Sequence, residues 1–347
     1  MITTRPPRSE EPPALVRRYA EPVARYLRQR APDVGTRTGL MAAYHMGWVD
    51  AGGRPHDAPG GKLVRPSLCL WACEAAGGDP ALALPAAAAL EWVHNFTLIH
   101  DDIQDGDHER HHRPTVWSIW GVAQGINAGD ALHAMAFESL LAPGPHPGRR
   151  LRAARALVRA VLEVIEGQCL DLALEGRPHC PPASYLRMAR AKTGALLGAS
   201  LQLGAIMGGA RPAAVGKLRK AGRLLGLSFQ VRDDWLGIWG EPALTGKSRD
   251  CDLGRRKVTY PVVVGYAAML PAERRRFRAL FRSEAGDATA VEALRDRLEA
   301  AGARELSAAA ARRFARQAIE VVAGSGLGPE PTDQFQEFAH YVANRTR

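Results

Sequence analysis

The stretch from Leu90 to Arg113, LEWVHNFTLIHDDIQDGDHERHHR, opens as an apolar helical pattern and ends in a dense polar cluster. Asp101 and Asp105 are four residues apart, so a helix places them on one face, with Asp102 beside them. Like charges at that spacing destabilise a bare helix, so a cation is expected to offset them. Hard divalent ions take carboxylate oxygens, and magnesium often combines one or two carboxylates with substrate phosphates. Alone, the cluster reads equally well as a solvated acidic helix end. A second acidic pair shifts that balance. Phe229–Gly237, FQVRDDWLG, carries Asp233 and Asp234 on another apolar helical pattern. Two such helices facing each other would line one cavity with carboxylates, a common way for helical bundles to build a metal site.

Basic residues stand where an anion could bind. Lys62 and Arg65 fall at a loop-to-helix junction, in GGKLVRPSLCLWACEAAGG, with Pro66 suited to the first helical turn. Free backbone amides at a helix start add to such a site, although exposed Lys and Arg there often serve only solubility. Lys192 and Thr193 lie within a helical pattern that starts at Pro181–Pro182, and Lys247 and Lys257 lie in a polar loop, Gly240–Lys257.

The elements that must position these groups read as helices. Patterns run over Pro13–Arg30, Arg37–Val49, Ala81–Ile103, Thr115–Leu141, Arg149–Leu174, Pro212–Gly237, Tyr260–Leu270, Ala272–Phe281, Ala290–Ala301, Ala308–Gly324 and Pro331–Arg345. Abundant Ala and few β-branched runs favour an all-α chain, and no β pattern is long enough for a sheet. Gly121, Gly125 and Gly129 recur every fourth residue and predict close helix packing. Residues 1–12 are rich in Pro and charge and read as a disordered tail, with a docking role as the alternative. Residues 13–347 then form one large domain, and a 46% hydrophobic content is enough for its core.

A formal net charge of +10 fits nucleic acid, a membrane surface or anionic small molecules. No aromatic residues interleave with the basic runs, so nucleic acid is set aside and a phosphorylated substrate fits better. Five scattered cysteines, none in a CxxC pair, fit structural thiols in a reducing cytoplasm. Cys69 and Cys73 are expected on one buried helix face. No signal pattern opens the chain. The uncharged stretch Thr193–Ala210, rich in glycine, reads as a core helix and not a membrane span.

Taken in order, these pieces resemble the trans-isoprenyl diphosphate synthases, the polyprenyl synthetase family. The likeness covers about Gly60 to Pro261 and rests on GGKLVRP, HNFTLIHDDIQD, RHHRPT, GDAL, EGQCLDL, KTGAL, FQVRDD, TGK and KVTYP. The resemblance implies a helical bundle with a central cavity, a homodimer, and about three Mg²⁺ ions holding an allylic diphosphate between the two acidic helices. Loss of diphosphate leaves an allylic cation, which isopentenyl diphosphate attacks before a proton departs. A largely apolar pocket keeps water from quenching that cation. By resemblance, Asp101, Asp105 and Asp233 bind the metals, with Asp102 and Asp234 in support. Lys62, Arg65 and His94 match the isopentenyl diphosphate site. Arg110, Lys192, Lys247 and Lys257 match contacts to the allylic diphosphate, and Thr193 and Gln230 line the reacting centre.

Two positions depart from the family. His111 stands where a second arginine helps bind isopentenyl diphosphate, and an imidazole is only partly charged near neutral pH. Gly237 stands where a complete second DDxxD has aspartate. His108, His111 and His112 also admit a zinc reading, disfavoured because the family binds phosphate there. Asp233, Asp234 and Glu241 partly match the metal motif of class I terpene cyclases, but a cyclase has no need of Lys62, Arg65 and His94. A regulatory subunit of a heteromeric synthase is the third reading, opposed by the nearly complete charged set. By resemblance, Phe96 and Thr97, five and four residues before Asp101, set product length and favour C20 over C15.

Overall fold

The computed structural model describes residues 12–56, 61–241, 251–283 and 287–346. The expected tail (apart from Pro12) and Lys247 lie outside the described residues. The chain divides into two compact units. The first comprises Ala14–Val161 and Ala199–Arg219, and the second contains Leu162–Gly198 and Lys220–Arg347.

The first unit opens with α1 (Ala14–Gln29), which buries Leu15, Val16, Tyr19, Val23 and Leu27, one face of a helix at 3.6 residues per turn. The following α2 (Arg37–His45) is capped by the Thr36 hydroxyl on the Gly39 amide. It ends four residues short of the expected Val49, where Gly47 takes a φ of 78° that continues no helix. Next come α3 (Val64–Ala75) and α4 (Leu84–Gln104), joined through a single 3₁₀ turn at Pro80–Ala83. Trp71, Trp92, Leu68, Leu70 and Leu90 are fully buried and form the centre of this unit. Each such side chain contributes roughly 1.5–3 kcal/mol over its exposed state. Cys69 and Cys73 are both buried in α3, as their spacing predicts. The segment Pro80–Gln104 is long and apolar enough to cross a membrane, but 72% of its most apolar window is buried inside the protein, as in a core helix.

The expected single helix over Thr115–Leu141 is two helices, α5 (Val116–Trp120) and α6 (Val122–Leu141). Gly121 breaks it at a φ of 85°. The other two glycines of the series bring α6 against α4. A Cβ at Gly125 would lie 2.8 Å from Ile103 Cδ1, and one at Gly129 would lie 2.5 Å from His100 Cδ2. A short hairpin that the sequence pattern does not reveal also appears, pairing Glu109–Arg110 with Arg113–Pro114. His111 and His112 form its two-residue turn, with φ values of 51° and 61°. Such a turn needs positive φ at both positions, which histidine tolerates better than most non-glycine residues.

The long α7 (Pro147–Leu174), α9 (Ala195–Gly208) and α10 (Pro212–Trp239) each contribute to both units. Within the first unit, Gly204 and Gly208 of α9 lie against the Cys69 and Cys73 carbonyls of α3. The second unit adds α8 (Pro182–Ala189), a π turn at Arg190–Gly194, and a short α11 (Cys251–Gly254). It continues with α12 (Tyr260–Ala268), α13 (Pro271–Phe281), α14 (Ala288–Ala300), α15 (Ala303–Ala323) and α16 (Pro329–Asn344). One core joins Tyr185, Val231, Ile238, Leu253, Val262 and Phe277.

A Cβ at Gly204 would meet the Cys69 carbonyl oxygen and lie 2.8 Å from Ala72 Cβ. Neither backbone can yield alone, so Gly204→Ala is expected to lower stability by about 3 kcal/mol in urea unfolding. Gly216 of α10 has nothing within 4 Å of such a Cβ. Gly216→Ala should therefore be neutral or stabilising by about 0.5–1 kcal/mol. Equal effects of the two changes would refute the packing argument.

Candidate active site

The carboxylates of the first unit sit where α4 ends. The Asp105 amide closes the last turn on the Asp101 carbonyl at 2.8 Å, so the two residues are stacked one turn apart. Asp101 is part-exposed and Asp105 exposed. Asp102 turns inward and is 2% exposed, and its Oδ1 accepts hydrogen bonds from Arg110 Nε at 2.9 Å and Nη2 at 2.7 Å. Its Oδ2 is buried without a hydrogen-bond partner among the described residues. Burial pushes the Asp102 carboxyl up, and the Arg110 guanidinium opposes that shift. Arg110 is thus held against an aspartate by the hairpin that presents it. The hairpin is itself anchored by Arg113, which donates to the Tyr44 and Val49 carbonyls and lies 4.3 Å over the Tyr44 ring.

Further basic residues lie in the same unit. Lys62 is exposed and Arg65 part-exposed around the start of α3, whose first amides have no partner within the helix. Burial, with Arg65, Arg110 and His45 nearby, drives the His94 imidazole well below its usual value. His45 is pushed down to about 3 by burial, with Arg110, Arg113 and His111 adding to the effect. Both rings are therefore neutral among guanidinium groups. Glu91 is buried near Arg65, and Asn95 donates to its Oε1 at 3.2 Å. Sequence reasoning missed His45 and Glu91, since neither lies in a motif and only folding brings α2 and α4 to one place. His108 packs on Trp117 at 4.6 Å and meets Ser118 through Nδ1 at 3.2 Å. Among the described residues no three His, Cys, Asp or Glu side chains form a ready metal cluster.

One turn upstream of the acids, Phe96 is 6% exposed and packs at 4.9 Å on His133, which in turn meets Phe137 at 5.2 Å. Thr97 turns its hydroxyl back to the His94 carbonyl at 2.7 Å.

In the second unit the helix pattern expected to run through Lys192 and Thr193 is interrupted by the π turn, a feature often found at functional sites. Glycines let other helices close on it. A Cβ at Gly167 would lie 2.6 Å from Lys192 Cα, and one at Gly226 would lie 2.5 Å from Gly194 Cα. Lys192 Nζ is thereby placed 2.7 Å from Asp171 Oδ2. The Thr193 hydroxyl donates to Gln230 Oε1 at 2.5 Å, and Gln230 Nε2 donates to Asp234 Oδ1 at 2.9 Å. Asp234 is buried, and its Oδ2 also accepts from the Tyr185 hydroxyl and, at 2.8 Å, from the Tyr260 amide. Burial pushes this carboxyl up to about 7, while Tyr185, Tyr260 and Gln230 pull it down. Asp233 is 41% exposed, and its Oδ1 meets Arg345 at 2.5 Å. Arg345 is 7% exposed, stacks on Phe229 at 3.9 Å, and accepts at its carbonyl from Arg232 Nε at 2.8 Å. A contact spanning 112 positions gave no signal in the sequence. Lys257 is exposed just before α12.

Asp101 and Asp105 in the first unit and Asp233 in the second each offer carboxylate oxygens, donors of the kind that suits a hard divalent ion completed by diphosphate oxygens and water. A surface cavity of about 530 Å³ between α12 and α14, bordered by Met269, Asp296 and Arg297, contains none of these groups.

The fold is all-α, with one aspartate pair on a helix of each unit and Arg110 bound to the first pair. Residues 55–298 match the polyprenyl synthetase family. A farnesyl diphosphate synthase of Mycobacterium tuberculosis is 42% identical over 92% of this chain and 89% of its own length. A geranylgeranyl diphosphate synthase of the same organism is 42% identical over 75% of this chain and 79% of its own. The crystal structure of a polyprenyl synthetase from Streptomyces coelicolor superposes with a TM-score of 0.89 at 40% identity, covering 95% of this chain and 98% of that one. The chain belongs to the polyprenyl synthetase family, whose members are prenyltransferases that generally use Mg²⁺.

The neutral histidines carry a pH dependence. Unfolded histidine takes a proton near pH 6.5, whereas folded His45 resists it down to about 3. Folded stability should therefore be full above pH 6.5 and fall as the pH drops through that value, by at most about 1.4 kcal/mol per pH unit for each histidine. Urea midpoints measured from pH 7.5 to 5 should show this decline, and His45→Asn should flatten it. An unchanged slope in the variant would refute the assignment.

Proposed function

We propose that the chain condenses isopentenyl diphosphate head-to-tail with an allylic diphosphate, giving a C20 product in preference to C15. Residues 13–347 act as one catalytic domain in the cytoplasm. The observation that carries this reading is the pair of guanidinium groups of Arg65 and Arg110 around His94, with Arg110 bound to Asp102 beside Asp101 within one unit. A terpene cyclase needs the carboxylates but has no second diphosphate for such groups to hold.

In this reading Asp101, Asp105 and Asp233 hold about three Mg²⁺ ions, which when bound neutralise charge developing on the departing diphosphate. Asp102 keeps Arg110 directed at the allylic diphosphate, and Asp234 does the same for Gln230. Lys192, Lys247 and Lys257 contact the same diphosphate. Lys62, Arg65 and neutral His94 hold isopentenyl diphosphate, with His111 giving a hydrogen bond where a full charge would bind more tightly. Thr193 and Gln230 line the reacting centre. Both polar ends of the Gln230 amide are engaged, so its orientation is set by its partners. The allylic carbon–oxygen bond breaks, the isopentenyl double bond forms the new carbon–carbon bond, and a proton leaves the product.

We further infer a homodimer through α7. Leu151, Val158, Leu162, Ile165 and Leu172 form a solvent-facing apolar row along that helix, and Leu162 is 62% exposed. A contiguous apolar row of this kind is characteristic of a surface covered by another chain.

The central test incubates the protein with Mg²⁺, isopentenyl diphosphate and, separately, dimethylallyl, geranyl or farnesyl diphosphate. An elongated diphosphate in the mass spectrum is expected; a hydrocarbon or alcohol formed without isopentenyl diphosphate would overturn the reading. Phe96→Ala should lengthen the product by at least one C5 unit, and an unchanged distribution would remove Phe96 from the pocket floor. Leu162→Glu should shift the mass in light scattering from dimer towards monomer, and a monomeric parent would overturn the dimer.

A further inference from the structure

The α13 helix carries more charge than its packing uses. Between Leu270 and Ser283 the sequence LPAERRRFRALFRS holds five arginines and one glutamate. Phe277 and Phe281 are buried and stack on each other at 5.9 Å, so they fix which face of the helix meets the core. Arg275, Arg278 and Arg282 follow one another at intervals of three and four, which lines them along a different face. Arg275 and Arg282 are exposed and Arg278 is part-exposed, and none of the three forms an ion pair with a described residue. The one glutamate is already engaged. Glu273 accepts from Arg276 at 2.8 Å and from Arg297 at 2.5 Å. Cations in the last turn of a helix can serve its dipole, but that accounts for Arg278 and Arg282 at most, since Arg275 lies further back.

The start of the helix adds an apolar group. Leu270 is 73% exposed, the most exposed large apolar side chain among the described residues. It stands on a clamped corner. The Arg274 guanidinium donates to the Tyr266 carbonyl at 3.0 Å and the Ala267 carbonyl at 2.5 Å, and the Arg274 amide donates to the Leu270 carbonyl at 3.0 Å. At the far end, Arg256 donates to Ser283 Oγ at 2.9 Å and ties the helix to the segment after α11. A helix fixed at both ends thus presents a row of guanidinium groups with a leucine at its head.

We propose that α13 docks the protein on a bilayer containing anionic phospholipids, with the arginine row on the headgroup phosphates and Leu270 entering the acyl boundary. Charge complementarity selects an anionic surface, and the net charge of +10 adds long-range attraction. Guanidinium groups match phosphate oxygens in geometry as well as charge. Leu270 selects lipid over nucleic acid. It is an apolar group free to insert, whereas Phe277 and Phe281, the aromatic residues of the helix, are buried and cannot stack on bases. The inference does not depend on the reading of the active site. It places the release of a water-insoluble polyprenyl chain at a surface that can take it up.

The test is co-sedimentation of the full-length protein with vesicles of equal parts phosphatidylglycerol and phosphatidylcholine, against vesicles of phosphatidylcholine alone. The parent should bind the anionic vesicles, ignore the neutral ones and lose affinity as salt rises. Each basic side chain at such a surface strengthens binding about fivefold, so Arg275→Gln alone should weaken it by about that factor. Arg275→Gln, Arg278→Gln and Arg282→Gln together should weaken it about a hundredfold. The same charge removed from exposed positions elsewhere, by Arg211→Gln, Lys217→Gln and Lys220→Gln, should change it less than about threefold. Leu270→Ser should weaken binding about fivefold and leave its salt dependence unchanged. Thermal unfolding confirms that each variant is folded. Absence of binding to the anionic vesicles, equal losses from the two triple variants, or parent-like binding by Leu270→Ser overturns the proposal. A protein that ignores the vesicles but binds duplex DNA through the same three arginines overturns it too, and assigns the face to nucleic acid.

Discussion

A carboxylate inside a protein needs donors to replace lost water, and the second unit is arranged around meeting that need for Asp234. Burial alone would favour the neutral acid. The Tyr185 hydroxyl, the Tyr260 amide and the Gln230 amide group supply donors from three separate elements. Satisfying that one residue fixes the start of α12, the orientation of α8 and the amide of Gln230. Through Gln230 it also fixes Thr193. Removing any one donor would leave a buried acceptor short of partners, which costs more than an ordinary hydrogen bond contributes.

The first unit solves a related problem with opposite charge. Arg65, Arg110 and Arg113 crowd together, and nearby imidazoles stay neutral because a further positive charge there would be both desolvated and repelled. Arg110 is tied to Asp102, and Arg113 to backbone carbonyls and an aromatic face. The result is a preformed cationic patch suited to an anion, held beside exposed carboxylates suited to a cation. Such charge placement gains strength where water is excluded.

Small residues make both arrangements geometrically accessible. Gly129 admits α4 to α6, Gly204 admits α3 to α9, and Gly167 and Gly226 admit their helices to the π turn. At each position a single added carbon would separate backbones and move the side chains they carry.

Much of this was legible in the residues. The apolar face of α1 follows from helical periodicity, and Asp101 and Asp105 share a face of α4 because four residues make about one turn. The ordered motifs were enough to identify the family and its prenyltransferase chemistry. The hairpin was not legible, since two-residue strands have no period to detect, nor was the break at Gly121, where a glycine that looked like a packing site adopts a positive φ. His45, Tyr185 and Arg345 lie far in sequence from the groups they meet. Those contacts were decided only by tertiary structure, because burial and charge pairing are properties of neighbours in space. Local sequence thus determined the helices and the chemical types on their faces, while folding determined which charges meet.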